Sequence, residues 1–139
     1  MTEPKPCPFC AILGAGDFLP QSWLPSGMMK RVHVFRDQYP VSPGHTLIIP
    51  VRHVSSIFDL DPDEERAIWV EANRVRVALG LEFNPQGFNV GFNDGKAAGQ
   101  TVMHAHLHII PRFEGDTLDP RGGVRHCIPG KGYYTPVEK

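Results

Sequence analysis

Three histidines that alternate with apolar residues constrain the fold of this chain more than any other feature of its sequence. They are His104, His106 and His108, in the segment 101–112, Thr-Val-Met-His-Ala-His-Leu-His-Ile-Ile-Pro-Arg. In a β-strand successive side chains point to opposite faces, so the imidazoles share one face and the apolar residues share the other. A helix would spread the same positions over about 200°. We therefore predict that this segment is a strand with one buried side.

Length and charge bound the class of protein. A chain of 139 residues is most simply one domain, and such a domain buries roughly two-thirds of its unfolded surface. The 14 basic and 15 acidic residues nearly balance, so no global field attracts nucleic acid or an anionic membrane. No apolar run approaches the roughly 18 residues of a membrane span, and the first residues lack a signal-peptide pattern. We expect a cytoplasmic protein with no nucleic-acid or membrane partner.

Local signals upstream of the histidines predict three strands and one main helix. The strand-like runs lie at 29–36, 45–50 and 87–93. Asp61 suits an N-cap, Pro62 suits the first helical position, and Glu64 follows the cap by three residues. A helix is therefore predicted over about 62–79, with Gly80 ending it.

Both ends of the chain are rich in proline and glycine. We interpret residues 1–27 as an irregular lead-in without a long element, and residues 113–139 as an extended C-terminal arm, because the arm has too few apolar residues for a second core. Residues 1–139 are thus predicted to form a single domain. The lead-in contains Cys7-Pro8-Phe9-Cys10, and in a reducing compartment such a pair indicates metal binding or redox chemistry rather than a structural disulfide.

Three interpretations of the histidine segment remain open from the residues alone. Three partly buried structural imidazoles would each need a hydrogen-bond partner. A set of three histidines with an open position would hold a catalytic metal. In the third interpretation one imidazole is a nucleophile that attacks phosphorus, a neighbour holds its tautomer, and another protonates the leaving group.

The glycine-containing loop before the histidines favours the third interpretation. Backbone N–H groups at Gly99, Gln100 and Thr101, together with the Thr101 hydroxyl and the Asn93 amide, would hold phosphate oxygens without a net positive protein. The loop is not a P-loop, because the required glycine spacing and Lys-Ser/Thr pair are absent.

The segment from Gly99 to Ile110, with its pattern His-φ-His-φ-His-φ-φ where φ is apolar, resembles the signature of the histidine triad (HIT) superfamily of nucleotide hydrolases and transferases. The upstream block Pro43-Gly44-His45-Thr46-Leu47-Ile48-Ile49-Pro50 resembles the preceding strand of the same family. The resemblance covers about residues 7–116. It implies an α+β fold, with an antiparallel sheet of about five strands, one main helix and a two-fold homodimer.

The resemblance also implies roles for single residues. His106 would attack the α-phosphorus to give a covalent nucleotidyl-histidine, His108 would contact the phosphate and assist the leaving group, and His45 would orient the nucleophile. Asp37 would bind the ribose hydroxyls. Phe35 and Leu47 would line the nucleoside pocket, and Asn93 and Thr101 would contact the phosphates. The loop before the histidines adds Gly99 and Gln100 to the candidate nucleotide-binding residues.

The cysteine pair is open between a glutaredoxin-like redox motif and a zinc knuckle. Redox motifs of this kind follow a first strand, and here only six residues precede Cys7, so a zinc knuckle is favoured. Some HIT proteins resemble this chain in binding structural zinc through such a pair and two histidines. The resemblance implies the partners His53 and His104. Four protein ligands would close the site to chemistry.

These patterns together predict an enzyme, a HIT-type nucleotide hydrolase or nucleotidyl transferase. Its substrate would be a purine nucleotide or dinucleotide, namely a dinucleoside polyphosphate or related nucleotide cut at the α-phosphate. One alternative is a nucleoside phosphoramidate hydrolase of the same family: residues 111–116 resemble the dinucleoside polyphosphate branch, whereas Asn93 matches the phosphoramidase branch. Another is a nucleotide-binding regulatory module with little turnover.

Overall fold

The computed structural model describes residues 6–15 and 31–134. Its regular elements in chain order are α1 (Pro8–Ala15), β1 (Val32–Arg36), β2 (Thr46–Pro50), α2 (Pro62–Phe83), β3 (Gly87–Gly91) and β4 (Leu107–Arg112). Short 3₁₀ turns lie at Ile57–Asp59, Lys96–Ala98 and Gly123–Cys127. No described helix is long and apolar enough to cross a membrane. The predicted strand start at 29–30, the lead-in at 1–5 and 16–27, and the arm's end at 135–139 lie outside the described residues.

The four strands form one antiparallel sheet in the order β1-β2-β4-β3. In its register Leu47 of β2 lies opposite His108 of β4, and Phe35 of β1 lies opposite Leu47. The sheet and its main helix confirm the predicted fold class, and the described residues contain four strands where about five were expected. The β2–β4 pairing brings His45 next to the histidine segment, although 63 positions separate His45 from His108.

The two faces of the sheet are covered differently. One face packs against α2, in a core formed by Val32, Val34, Ile48, Leu107 and Ile109 of the strands and Ala67, Ile68, Ala72, Val75 and Leu79 of the helix. The opposite face carries a smaller apolar cluster in which Phe9 of α1 joins Phe35, Leu47 and Ile49. The histidines and α1 therefore lie on the face of the sheet that α2 does not cover.

Only the second half of the histidine segment is a strand. β4 covers its last six residues, so the prediction of a strand over 101–106 is wrong. This part of the chain instead bonds to residues around the end of β2: Ala105 N–H donates to the Val54 carbonyl at 2.7 Å, and the His104 ring Nε2 lies 2.8 Å from the Pro50 carbonyl. The β2–β4 pairing ends at the pair Ile48–Leu107, so the residues before Leu107 leave the ladder even though β2 continues to Pro50.

Helix α2 begins as predicted and ends later than predicted. The Asp61 carboxylate accepts the Glu64 N–H at 2.8 Å, and the Glu64 carboxylate accepts the Asp61 N–H at 2.9 Å, which completes a capping box. The prediction that Gly80 ends the helix is wrong. Phe83 packs against the core, and Asn84, in the left-handed region at φ 51°, ends the helix with its N–H on the Gly80 carbonyl.

Gly44 and Gly80 offer a matched pair of stability predictions. Gly44 has a φ of +86°, and an added Cβ would lie 2.9 Å from the side chains of Leu79 and Phe83, whereas Gly80 is helical with nothing near such a Cβ. We expect Gly44→Ala to lower the free energy of unfolding by about 1–3 kcal/mol, through the left-handed backbone and the crowding. Gly80→Ala should raise it by about 0.5–1 kcal/mol.

Equilibrium denaturation with urea measures both effects. The two variants carry the same chemical change, so shifts of opposite sign are the expected result. A Gly44→Ala protein at least as stable as the wild type would contradict the requirement for glycine in the turn that precedes His45.

Candidate active site and metal centre

A cavity of about 690 Å³ opens on the sheet face opposite α2. Three positions implied as nucleoside contacts, Phe35, Asp37 and Leu47, line it. The catalytic candidates His45, His106 and His108 line it as well, together with Thr101. The structure therefore places apolar side chains, a carboxylate and three imidazoles around one space, as a site for a nucleoside phosphate requires.

His106 is held in one tautomer by the backbone. Its Nδ1 lies 2.8 Å from the carbonyl oxygen of His104, which can only accept a hydrogen bond, so Nδ1 carries the proton. In the neutral ring Nε2 then keeps its lone pair. The residue is 8% exposed, and its ring packs edge-on against Phe9 and His108 at centroid distances of 5.0 Å each. A buried imidazole with a fixed lone pair beside the cavity has the geometry of a nucleophile.

His45 and His108 form a second hydrogen-bonded unit. The Val41 N–H donates to His45 Nδ1 at 3.2 Å, so the proton of the neutral His45 ring is on Nε2. That Nε2–H donates to His108 Nδ1 at 3.0 Å, and the proton of His108 is therefore on its own Nε2. Within the described part of the chain His108 Nε2 is buried without a partner. The pair thus presents one unused N–H donor.

Burial keeps both rings of this pair neutral. It lowers the pKa of His45, and it lowers the pKa of His108 to about 4, to which the neighbouring His106 and His45 rings contribute less. The Asp37 carboxylate opposes both shifts without cancelling them. A bound phosphate would oppose this shift, because a negative charge favours the imidazolium. In the ligand-free protein His108 is accordingly a neutral N–H donor.

Two backbone N–H groups that were predicted to bind phosphate form hydrogen bonds within the loop instead. The backbone N–H of Gly99 donates to the Lys96 carbonyl at 3.0 Å, and that of Gln100 donates to the Gly95 carbonyl at 3.1 Å. The Gln100 amide bonds to Gly95, Ser55 and Val102 and is buried. Of the loop candidates, only Thr101 lines the cavity, while Asn93 is exposed outside it.

The other implied cluster gathers at the N-terminal side of the cavity. Ligand atoms of Cys7, Cys10, His53 and His104 all lie within 4.8 Å of one another. Cys10 Sγ is 3.2 Å from His53 Nδ1, and Cys7 Sγ is 3.5 Å from His104 Nδ1. Two thiols and two imidazoles converging in this way suit a tetrahedral metal site.

The surroundings of this cluster fit a metal ion. His104 is fully buried, and its Nε2–H donates to the Pro50 carbonyl, so the lone pair on Nδ1 faces the thiols. Burial and the neighbouring Cys7 thiol raise the pKa of Cys10, a shift that a cation between the thiols would reverse. The four residues could therefore bind a metal as a closed set.

Sequence reasoning missed the contribution of α1 to the site. Phe9, Ile12 and Leu13 pack on the apolar cluster beside Phe35, and Phe9 and Ile12 also line the cavity. Their i, i+3, i+4 spacing is a helical signal, but it was outweighed by the prolines and glycines around it. The helix that carries Cys10 thus also forms a wall of the candidate active site.

Comparisons with known proteins find related sequences. The HIT domain model matches residues 27–115. Bis(5'-adenosyl)-triphosphatase of Dictyostelium discoideum is 44% identical over 77 residues, which cover 55% of this chain and 52% of that protein. Among the first curated relatives the matched part ranges from 52% to 78% of their length.

Solved structures show the same likeness. A HIT family protein of Bacillus anthracis superposes with a TM-score of 0.70 at 31% identity, covering 99% of this chain and 84% of that one. A Zn-bound histidine triad family protein of Mycobacterium smegmatis gives a TM-score of 0.67 at 35% identity, covering 82% and 80%.

Proposed function

The chain belongs to the HIT domain family, and from that premise we propose that it is a nucleotide hydrolase or nucleotidyl transferase acting through His106. The substrate is a dinucleoside polyphosphate or related nucleotide, attacked at its α-phosphorus. The observation that carries the proposal is the fixed Nε2 lone pair of His106 beside a cavity lined by Phe35 and Asp37. The name of the Dictyostelium relative, a bis(5'-adenosyl)-triphosphatase, supports the substrate class.

In the first step His106 Nε2 forms a bond to the α-phosphorus while the bond from that phosphorus to the leaving phosphate oxygen breaks. The His106 Nδ1–H keeps its hydrogen bond to the His104 carbonyl, and this carbonyl stabilises the positive charge that develops on the ring. His108 offers its unused Nε2–H to the leaving oxygen. In the second step water attacks phosphorus and the P–N bond breaks, with its electron pair returning to His106 Nε2. The nucleoside monophosphate leaves with the water oxygen, one proton of the water passes to solvent, and His106 is restored.

The metal in this proposal is zinc, bound by Cys7, Cys10, His53 and His104. The Zn-bound family member from Mycobacterium smegmatis supports that identity. With four protein ligands the ion has a structural role, tying α1 to the histidine segment. The reaction steps belong to the imidazoles of His106 and His108.

Hydrolysis in ¹⁸O-labelled water tests the site of attack. Purified protein with diadenosine triphosphate is expected to release adenosine monophosphate that contains one ¹⁸O and adenosine diphosphate that contains none, because water enters only at the attacked α-phosphorus. Label in the adenosine diphosphate would contradict attack at that atom. Binding of the nucleotide without turnover would instead favour the regulatory alternative.

A panel of leaving groups separates the two enzymatic alternatives. Asn93 matches the phosphoramidase branch, so an adenosine phosphoramidate belongs in the panel beside diadenosine tri- and tetraphosphate. A kcat/KM for the phosphoramidate well above those for the dinucleotides would assign the chain to the phosphoramidate alternative.

A further inference from the structure

The side chain of Asp37 lies against the His45–His108 pair as well as against the cavity. Asp37 Oδ2 is 3.4 Å from His45 Nε2, and its other oxygen accepts the Tyr39 N–H at 2.8 Å. The Asp37 backbone N–H donates to the His45 carbonyl at 3.0 Å, which ties the two residues together. The carboxylate is thus held in place from two directions with one oxygen turned towards the ring.

The proton on His45 Nε2 has His108 Nδ1 as its hydrogen-bond acceptor, at 3.0 Å. The Asp37 carboxylate lies beside this bond, with Oδ2 3.4 Å from His45 Nε2, and its negative charge favours a proton on that nitrogen. From the other side of the ring the Val41 N–H requires a lone pair on His45 Nδ1. The carboxylate and the Val41 amide consequently favour the same tautomer, the one in which His45 donates to His108.

The positions of the ring protons distinguish a metal site from a hydrogen-bonded chain at Asp37, His45 and His108. Ligand atoms of Asp37, His45 and His108 lie within 4.8 Å of one another, a spacing that would suit a metal ion. A metal at His45 Nε2 would need the lone pair there, and moving the proton to Nδ1 would break the bond from Val41. The arrangement is accordingly that of a proton-ordered chain.

We propose that Asp37 is a positioning residue, which holds His45 as the donor to His108. Its negative charge beside His45 Nε2 favours a proton on that nitrogen, and His108 Nδ1 accepts the resulting hydrogen bond. The proton of His108 then stays on its own Nε2. The inference rests on the proposed function for its effect on turnover, because that function assigns this Nε2–H to the leaving group.

Asp37→Asn tests this, because it keeps the shape of the side chain and removes its charge. Kinetics are measured on a diadenosine polyphosphate and on its 2',3'-dideoxy analogue, which lacks the hydroxyls. We expect kcat to fall about tenfold on both substrates, because the neutral amide no longer favours a proton on His45 Nε2 through its charge. If Asp37 served only the ribose, the mutation would change KM for the first substrate and leave the analogue unaffected, and the proposal would be overturned.

The ring nitrogens of the histidines give a readout that needs no activity. In ¹⁵N NMR of the ligand-free protein, His45 and His108 should both show the Nε2–H tautomer, and Asp37→Asn should shift their ring signals towards a tautomer mixture. Asp59→Asn, an acid-to-amide change on an exposed 3₁₀ turn, is the matched control. Equal signals in the two variants would overturn the proposal. Absence of turnover in the wild type would refute the proposed function and leave this NMR result to decide the positioning role.

Discussion

Replacement of His106 by glycine or alanine is expected to lower turnover by about four orders of magnitude or more, as removal of a catalytic nucleophile does in other enzymes. The cavity and its apolar lining remain in these variants, so nucleotide binding should change far less than kcat. The physical reason is that no other ring shares its geometry, since His45 and His108 hold their protons in a separate hydrogen-bonded unit. Single-turnover kinetics and equilibrium binding measure the two effects separately.

Covalent trapping distinguishes a nucleophile from a residue that only binds. A substrate radiolabelled at the α-phosphate, quenched during turnover, should label the wild type and neither His106 variant. His126→Gln is a suitable control, because His126 lies in the C-terminal arm against Tyr133 and outside the cavity lining. It should be labelled like the wild type. Labelling of His106→Ala would refute the nucleophile assignment.

Removal of the zinc ion that we propose at Cys7, Cys10, His53 and His104 is expected to lower the melting temperature by about 10 °C or more and to weaken nucleotide binding about tenfold. A tightly bound ion contributes about 4 kcal/mol when present at a thousand times its Kd, and for a chain of this size each kcal/mol moves Tm by a few degrees. Helix α1 has eight residues, too few to be stable by itself. In the zinc site that we propose, Cys7 and Cys10 would hold it in place, together with the packing of Phe9 against His106 and Phe35.

Cys10→Ser should reproduce the effect of a chelator, and Cys127→Ser is the matched control because that thiol is exposed and outside the metal cluster. Metal analysis of protein purified without added zinc should find one equivalent in the wild type and in Cys127→Ser. Binding of a fluorescent nucleotide should weaken in Cys10→Ser, since Phe9 and Ile12 leave the cavity wall. Stoichiometric metal retained by Cys10→Ser, with unchanged binding, would contradict the coupling.

Some elements were predictable because their determinants are local. The capping box of α2 depends on Asp61 and Glu64, three positions apart, and the structure confirms it. The end of the same helix was not predictable from Gly80, because a tertiary contact of Phe83 with the core favours one more turn. Likewise, the alternation of the histidines predicted a strand throughout, but His104 and Ala105 bond to the Pro50 and Val54 carbonyls, and the strand is limited to the last six residues.

The candidate site shows the same division. The resemblance predicted which histidines and cysteines would matter, and the structure brings each of these groups together. It did not predict that Gly99 and Gln100 would use their own N–H groups inside the loop, because those bonds depend on the 3₁₀ turn at residues 96–98. Nor did it indicate that α1 would form a cavity wall.

By itself the sequence determined the membership of the family, the main helix, and the candidate residues for chemistry, because short motifs and side-chain types encode these. Only the tertiary structure decided the hydrogen-bond partners of each of the three opening histidines. The Pro50 carbonyl turns His104 towards the thiols, the His104 carbonyl holds a lone pair on His106, and His45 sets the proton of His108. These partners are backbone carbonyls and a ring from a neighbouring strand, so their roles exist only once the sheet has formed.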